Sequence, residues 1–127
     1  MIVADITKTN MMDEMYALLN DGLGGVGEIS IKDALGVEIA SLVFANIEKD
    51  YSTSSKKIIL KDTTDNYTIE GVVLGDGTAV SFDVIANSIT VFSGSITTHL
   101  GNGDIKFSRV VWLTDQLVTL ENFTIIF

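Results

Sequence analysis

The chain has 127 residues, 46% of them hydrophobic and 20% charged, enough to bury one core and too apolar for wholesale disorder. Asp and Glu number 17 against 8 Lys and Arg, and the resulting net charge of −9 opposes binding to a phosphate backbone. There is no cysteine, so disulfides and thiolate metal sites are excluded, and no apolar run nears the ~20 residues that span a bilayer.

The first element is a helix over residues 10–20. Met11, Met12, Met15, Leu18 and Leu19 recur at helical spacing, Thr9 or Asn10 supplies an N-cap, and Gly22 stands where a left-handed C-cap belongs. The segment before it, MIVADI, carries no basic n-region and is read as a terminal strand rather than a signal peptide.

Gly22-Leu23-Gly24-Gly25-Val26-Gly27 then matches G-x-G-x-x-G letter for letter. A dinucleotide site needs a strand before these glycines and a helix after, so that the positive helix end meets the pyrophosphate. Here a helix precedes, and Glu28-Ile29-Ser30-Ile31-Lys32 follows with strand alternation. GLGGVG is read as a helix-to-strand connector.

From residue 28 to 127 the chain reads as strands. Asp33-Ala34-Leu35-Gly36 is a turn into Val37–Ala45, and residues 46–55, NIEKDYSTSS, form the longest loop. Lys56, Lys57 and Lys61 mark a solvated strand edge. Tyr67–Leu74 and Thr78–Ala86 are expected to form a hairpin through Gly75-Asp76-Gly77, and Asn87-Ser88 precedes Ile89–Thr98. His99–Asp104 is a glycine-rich turn, the alternation breaks near Ser108–Val110, and Gln116–Phe127 closes the chain. The expected fold is one mainly β domain spanning 1–127, an antiparallel sandwich or barrel of about eight strands with one short N-terminal helix.

No catalytic constellation emerges. A single histidine, His99, lies beside a glycine turn and is read as an exposed loop residue. Asp62, Asp65, Asp76 and Asp104 fall in turns, where the side chain bonds local backbone, and none follows the calcium-loop spacing. Phe44, Phe82, Phe92, Phe107 and Phe123 sit in strand alternation as core, and Trp112 is a core anchor by default. The chain is therefore read as a non-enzyme without cofactor or metal.

The end of the chain, FSGSITTHLGNGDIKFSRVVWLTDQLVTLENFTIIF, resembles the C-terminal part of small structural proteins of tailed bacteriophages. Gly94-Ser95-Ile96, Gly103-Asp104-Ile105, Phe107, Val118-Thr119-Leu120 and Phe123-Thr124-Ile125 carry the resemblance. Asp115-Gln116 departs from it where a glycine turn is common, and residues 46–66 match nothing in it. The resemblance implies a virion component, foremost a capsid decoration or cement protein, with a head–tail connector or tail component as the alternative. It implies the major capsid protein or other virion proteins as partners, a homo-oligomer, location in the virion and no catalytic residues, while the charge and the lack of a spanning run argue against nucleic acid and membrane partners. Interface candidates are then the Met11 and Met12 face and Phe127. A reading from another class is a carbohydrate- or receptor-binding sandwich with an exposed aromatic cluster at Tyr51 and Trp112.

Overall fold

A computed structural model describes residues 5–20, 27–51 and 56–126, with side chains from 8 to 19 in the helix. Helix α1 (Asp5–Asn20) starts five residues before the expected boundary, so Thr9 and Asn10 lie inside it rather than capping it. Nothing in Asp5–Lys8 breaks a helix, and the strand expected for MIVADI is overturned at Asp5 and Ile6. Met12 and Leu19 are buried and Met15 and Tyr16 partly so, a stripe at i, i+3, i+4 and i+7. Met11 and Leu18 fall outside that stripe and are exposed.

Twelve strands follow among the described residues, against about eight expected. β1 (Gly27–Lys32) pairs antiparallel with β2 (Glu38–Phe44) around the expected turn, in which Gly36 takes φ 80°. β2 turns at Ala45 directly into β3 (Asn46–Asp50), which pairs with β4 (Lys57–Lys61). Residues 46–50 are thus a strand and not the expected loop. Ile47 packs against the core and all five residues are half-buried, so polar composition hid a half-buried strand. β4 is the middle strand of its sheet, flanked by β3 and by β12 (Thr124–Ile126), so its lysines mark no edge. The Lys61 ammonium lies 4.6 Å from the Tyr67 ring centre, with Asp65 at 3.3 Å and Glu48 at 3.5 Å. Burial alone pushes Lys61 down, yet these neighbours hold its pKa above the ordinary value.

The hairpin expected at Gly75-Asp76-Gly77 does not form. β5 (Thr68–Val72) pairs instead with β11 (Leu117–Glu121), and β6 (Gly77–Thr78) pairs with β10 (Val111–Trp112). Asp76 explains the difference: its carboxylate accepts the Thr114 amide at 2.7 Å and the Thr114 hydroxyl at 2.8 Å. It ties two distant segments together rather than closing a local turn. β7 (Ser81–Ala86) pairs with β1 and, through Asn87 and Ser88 at φ 52° and 63°, with β8 (Ile89–Thr98). Two positive φ values in succession are those of a tight hairpin turn.

β9 (Ile105–Phe107) runs parallel to β8, the one parallel pair among the described strands. Parallel neighbours ordinarily need a crossover of a dozen or more residues, and here residues 99–104 suffice. The return passes so close to Thr97 that a methyl group on Gly103 would lie 2.7 Å from the Thr97 nitrogen. The Gly103 N–H donates to Thr97 Oγ1 at 2.9 Å, which holds the return in place.

The sheets make two curled layers. One follows the order β2-β1-β7-β8-β9 and extends past β2 to β5 and β11 through the Ala40–Val73 bridge; the other is β12-β4-β3. Two strands change layer: β2 continues into β3 at Ala45, and β11 into β12 at Asn122, where φ is 53°. At these corners the Ala45 N–H donates to Lys61 C=O and the Leu60 N–H to Phe123 C=O, each at 3.0 Å. A single apolar cluster joins both layers to Met12 and Leu19 of the helix.

Candidate functional site

The register places one set of loops at a single end of the sandwich. Val80 N–H bonds Lys32 C=O, Leu74 N–H bonds Ile39 C=O, and Ala79 N–H bonds Val110 C=O. The turn after Lys32, the segment 74–80, the segment 109–117 and the turn after Thr98 therefore share that end. Each carries exposed apolar side chains: Leu35 at 89% and Val37 in the first, Leu74 and Val80 in the second. Val111 and Leu113 (65%) follow in the third, and Leu100 at 99% tips the fourth. Leu117, opposite Val72 in the β5–β11 register, carries the apolar surface onto the outer face of the sheet.

These tips are held by acids. Asp33 Oδ1 accepts the amides of Leu35 and Val37, each at 2.9 Å, which fixes the turn that presents both side chains. Asp76 pins Thr114 and so the segment bearing Leu113; the Thr114 amide and hydroxyl hold its carboxyl below the usual range. Beneath, Trp112 is buried and donates its Nε1–H to Arg109 C=O at 2.8 Å, with the Phe107 ring edge-on at 5.1 Å. The result is an apolar surface on a braced frame.

The residues expected from sequence to form an interface do not converge here. Met11 is 49% exposed on the helix, and Met12 beside it is buried, because 100° of helix rotation separates neighbours. Met12 is a core residue, which corrects its assignment as a surface candidate. Phe127 lies outside the described residues, as do residues 22–26 of the glycine connector; α1 ends at Asn20 and β1 begins at Gly27, the order that argued against a nucleotide. Tyr51 is exposed, and its hydroxyl donates to Asp13 of the helix at 2.6 Å. Lys49 sits 4.2 Å from the Tyr16 ring centre and 3.7 Å from Asp13, so Tyr51 belongs to a helix–strand clasp. With Trp112 in the core, the aromatic cluster expected at Tyr51 and Trp112 is absent. His99 is exposed in its turn. Asp62 accepts the amides of Thr64 and Asn66 at 2.8 Å each, the local turn role expected of it, whereas Asp104 accepts the amide of Ser95, nine residues away in β8, at 3.0 Å rather than bonding its own turn.

On the outer face, Lys32 and Asp83 pair at 2.6 Å, and Ser93 donates to the other Asp83 oxygen at 2.5 Å. The Lys32 hydrogen bond leads in holding the Asp83 carboxyl below its ordinary 3.8, with Ser93 adding to it; the same pairing raises Lys32 above 10.5. Asp83 therefore adds stability at pH values above the ordinary carboxylate range, and this is lost as pH falls through its lowered value. Lys32 adds stability below 10.5 that is lost as pH rises through its raised value. In a carbon-13 titration of the carboxyl groups, Asp83 should titrate below the free-carboxylate value, and Ser93→Ala should move it upward. An unmoved titration would refute the Ser93 contribution.

The chain matches no protein-family model, no curated protein and no solved structure.

Proposed function

We propose that the protein is a structural component of a tailed-bacteriophage virion, binding the exterior of the capsid shell as a decoration or cement protein. The observation that carries this reading is the braced apolar end. Apolar side chains gathered at one end of a sandwich mark a contact site more often than apolar residues scattered singly. Backbone turns already fixed by Asp33 and Asp76 lose little freedom on docking, which favours shape-complementary contact. The phage-like pattern of the C-terminal quarter points to the same class, and a charge of −9 disfavours the genome as a competing partner. The partners are the major shell protein and further copies of this chain.

The test is the copy number of the protein in purified virions, by quantitative mass spectrometry. A count comparable with the major shell protein is expected. A few copies per particle would transfer the role to a connector or tail component, and absence from the particle would overturn the virion reading. Truncating residues 123–127 is no substitute, because Phe123 is buried and stacks on Phe92 at 6.1 Å, so its loss opens the core.

A further inference from the structure

The two layers do not close on each other everywhere. Between β8 and β9 on one side and the β11–β12 corner on the other lies a cleft of about 430 Å³, within the usual ~300–1,000 Å³ of binding sites. Phe82, Phe92 and Phe123 line it, with Phe82 edge-on to Phe92 at 6.3 Å and to Phe123 at 5.8 Å. Asp104, Glu121 and Lys106 stand at its rim.

Both walls are strand edges. β9 covers only Ile96–Thr98 of the ten-residue β8, and no described strand pairs with the rest of that edge. β12 likewise has β4 on one side and no described strand on the other. The Ser95 N–H points outward, since it donates to Asp104. Strand period two turns the Ser93 N–H and C=O the same way, into the cleft. The segment Ile89–Ser95 carries no charged residue and no proline, two of the devices that commonly blunt an open edge. The register shift beside Val84 and Asp104 at Ser95 bound the open stretch to about three residues.

We propose that this cleft binds an extended, basic-apolar peptide segment of a partner protein as an added strand on the outer edge of β8. The Ser93 backbone pairs with the peptide, an apolar side chain rests on Phe92 and Phe123, and a Lys or Arg side chain meets Asp104 and Glu121. Backbone pairing supplies affinity, and the pocket and charges supply selection. The sign follows from two rim carboxylates against one ammonium on a chain of charge −9. The inference stands whether or not the protein rides on a phage particle.

The test is a titration of the nitrogen-15-labelled full chain with the capped peptide Lys-Val-Thr-Val-Thr-Val-Lys, followed by amide shifts. Shifts should cluster at Phe92–Ser95, Lys106 and Asn122–Ile125. Methylating alternate peptide amides, or replacing both lysines by glutamate, should each weaken binding by about tenfold or more. Ser93→Pro should abolish binding while Ser93→Ala retains it, because only proline removes the outward amide. Absence of cleft shifts at millimolar peptide, or equal binding of the methylated peptide, would overturn the proposal. Shifts at the same amides with methyl glucoside and none with peptide would replace it with a sugar site.

Discussion

Phe44→Ala should cost about 4–5 kcal/mol, the upper end for large-to-small core changes and a large share of the ~5–15 kcal/mol that holds a domain folded. Phe44 is wholly buried at the last position of β2, just before the chain changes layers. It faces Gly27 across the β1–β2 pair, and its ring occupies the space a side chain there would need. A methyl group built on Gly27 would lie 2.3 Å from Phe44 Cζ and 2.6 Å from the Ile85 carbonyl oxygen. Removing the ring therefore leaves a void that residue 27 has no side chain to fill, and backbone on the far side cannot collapse inward without disturbing the β1–β7 ladder. Thermal unfolding should show a fall of roughly 10–25 °C. Val43→Ala, one residue away but 47% exposed, should stay within about 0.5 kcal/mol. A Phe44→Ala protein that melts within a few degrees of the parent would mean that the corner at Ala45 is held by its hydrogen bonds rather than by this ring.

The same local–distant contrast explains what the amino-acid sequence reveals and what it conceals. Asp33-Ala34-Leu35-Gly36 and Asn87-Ser88 are legible as turns because the residues that decide them lie within the turn. Four of the five phenylalanines read as core from alternation are buried, as is Trp112, which is legible as the default anchor of a β domain; Phe92 is half-buried at the cleft. Gly75-Asp76-Gly77 misleads because the partner of Asp76 is Thr114, 38 residues on, and no local pattern encodes that bond. β3 is hidden because Lys49 and Asn46 take half-buried positions through contacts with Tyr16 and with the Asp62 carbonyl. The parallel β9 is unforeseen because six residues fall short of an ordinary crossover; the clue was a pair of glycines, Gly101 and Gly103, that both crowd Thr97. The apolar end left a signal too. Leu35, Leu100 and Leu113 stand in or beside turns among Gly, Asp and Thr, where alternation supplies no buried position for them. Apolar residues at turn tips, more than those on the helix, are the sequence signal for the proposed contact surface.

That end gives the second large effect. Leu35→Asp and Leu113→Asp should leave the melting temperature close to the parent, since both side chains stand mostly in water, at 89% and 65% exposure. If the proposed virion role holds, each should nevertheless weaken binding to the particle by at least ~30-fold, or about 2 kcal/mol, the loss typical of a central contact residue. The mechanism is desolvation: a carboxylate carried into an apolar contact without a partner loses its water and gains nothing in return. Co-sedimentation with particles lacking the protein provides the readout. Ile89→Asp is the matched control, because Ile89 is 55% exposed beside the β7–β8 turn at the opposite end of the sandwich. Met11→Asp forms the third arm, placed on the exposed side of α1. If the two loop variants fail to bind while the Ile89 and Met11 variants co-sediment like the parent, the contact lies on the braced end and the helix is excluded from it. Failure of Met11→Asp alone would move the contact to the helix. If all four bound like the parent, neither the braced end nor the helix would carry the contact, and the assignment of that end as a docking surface would fall.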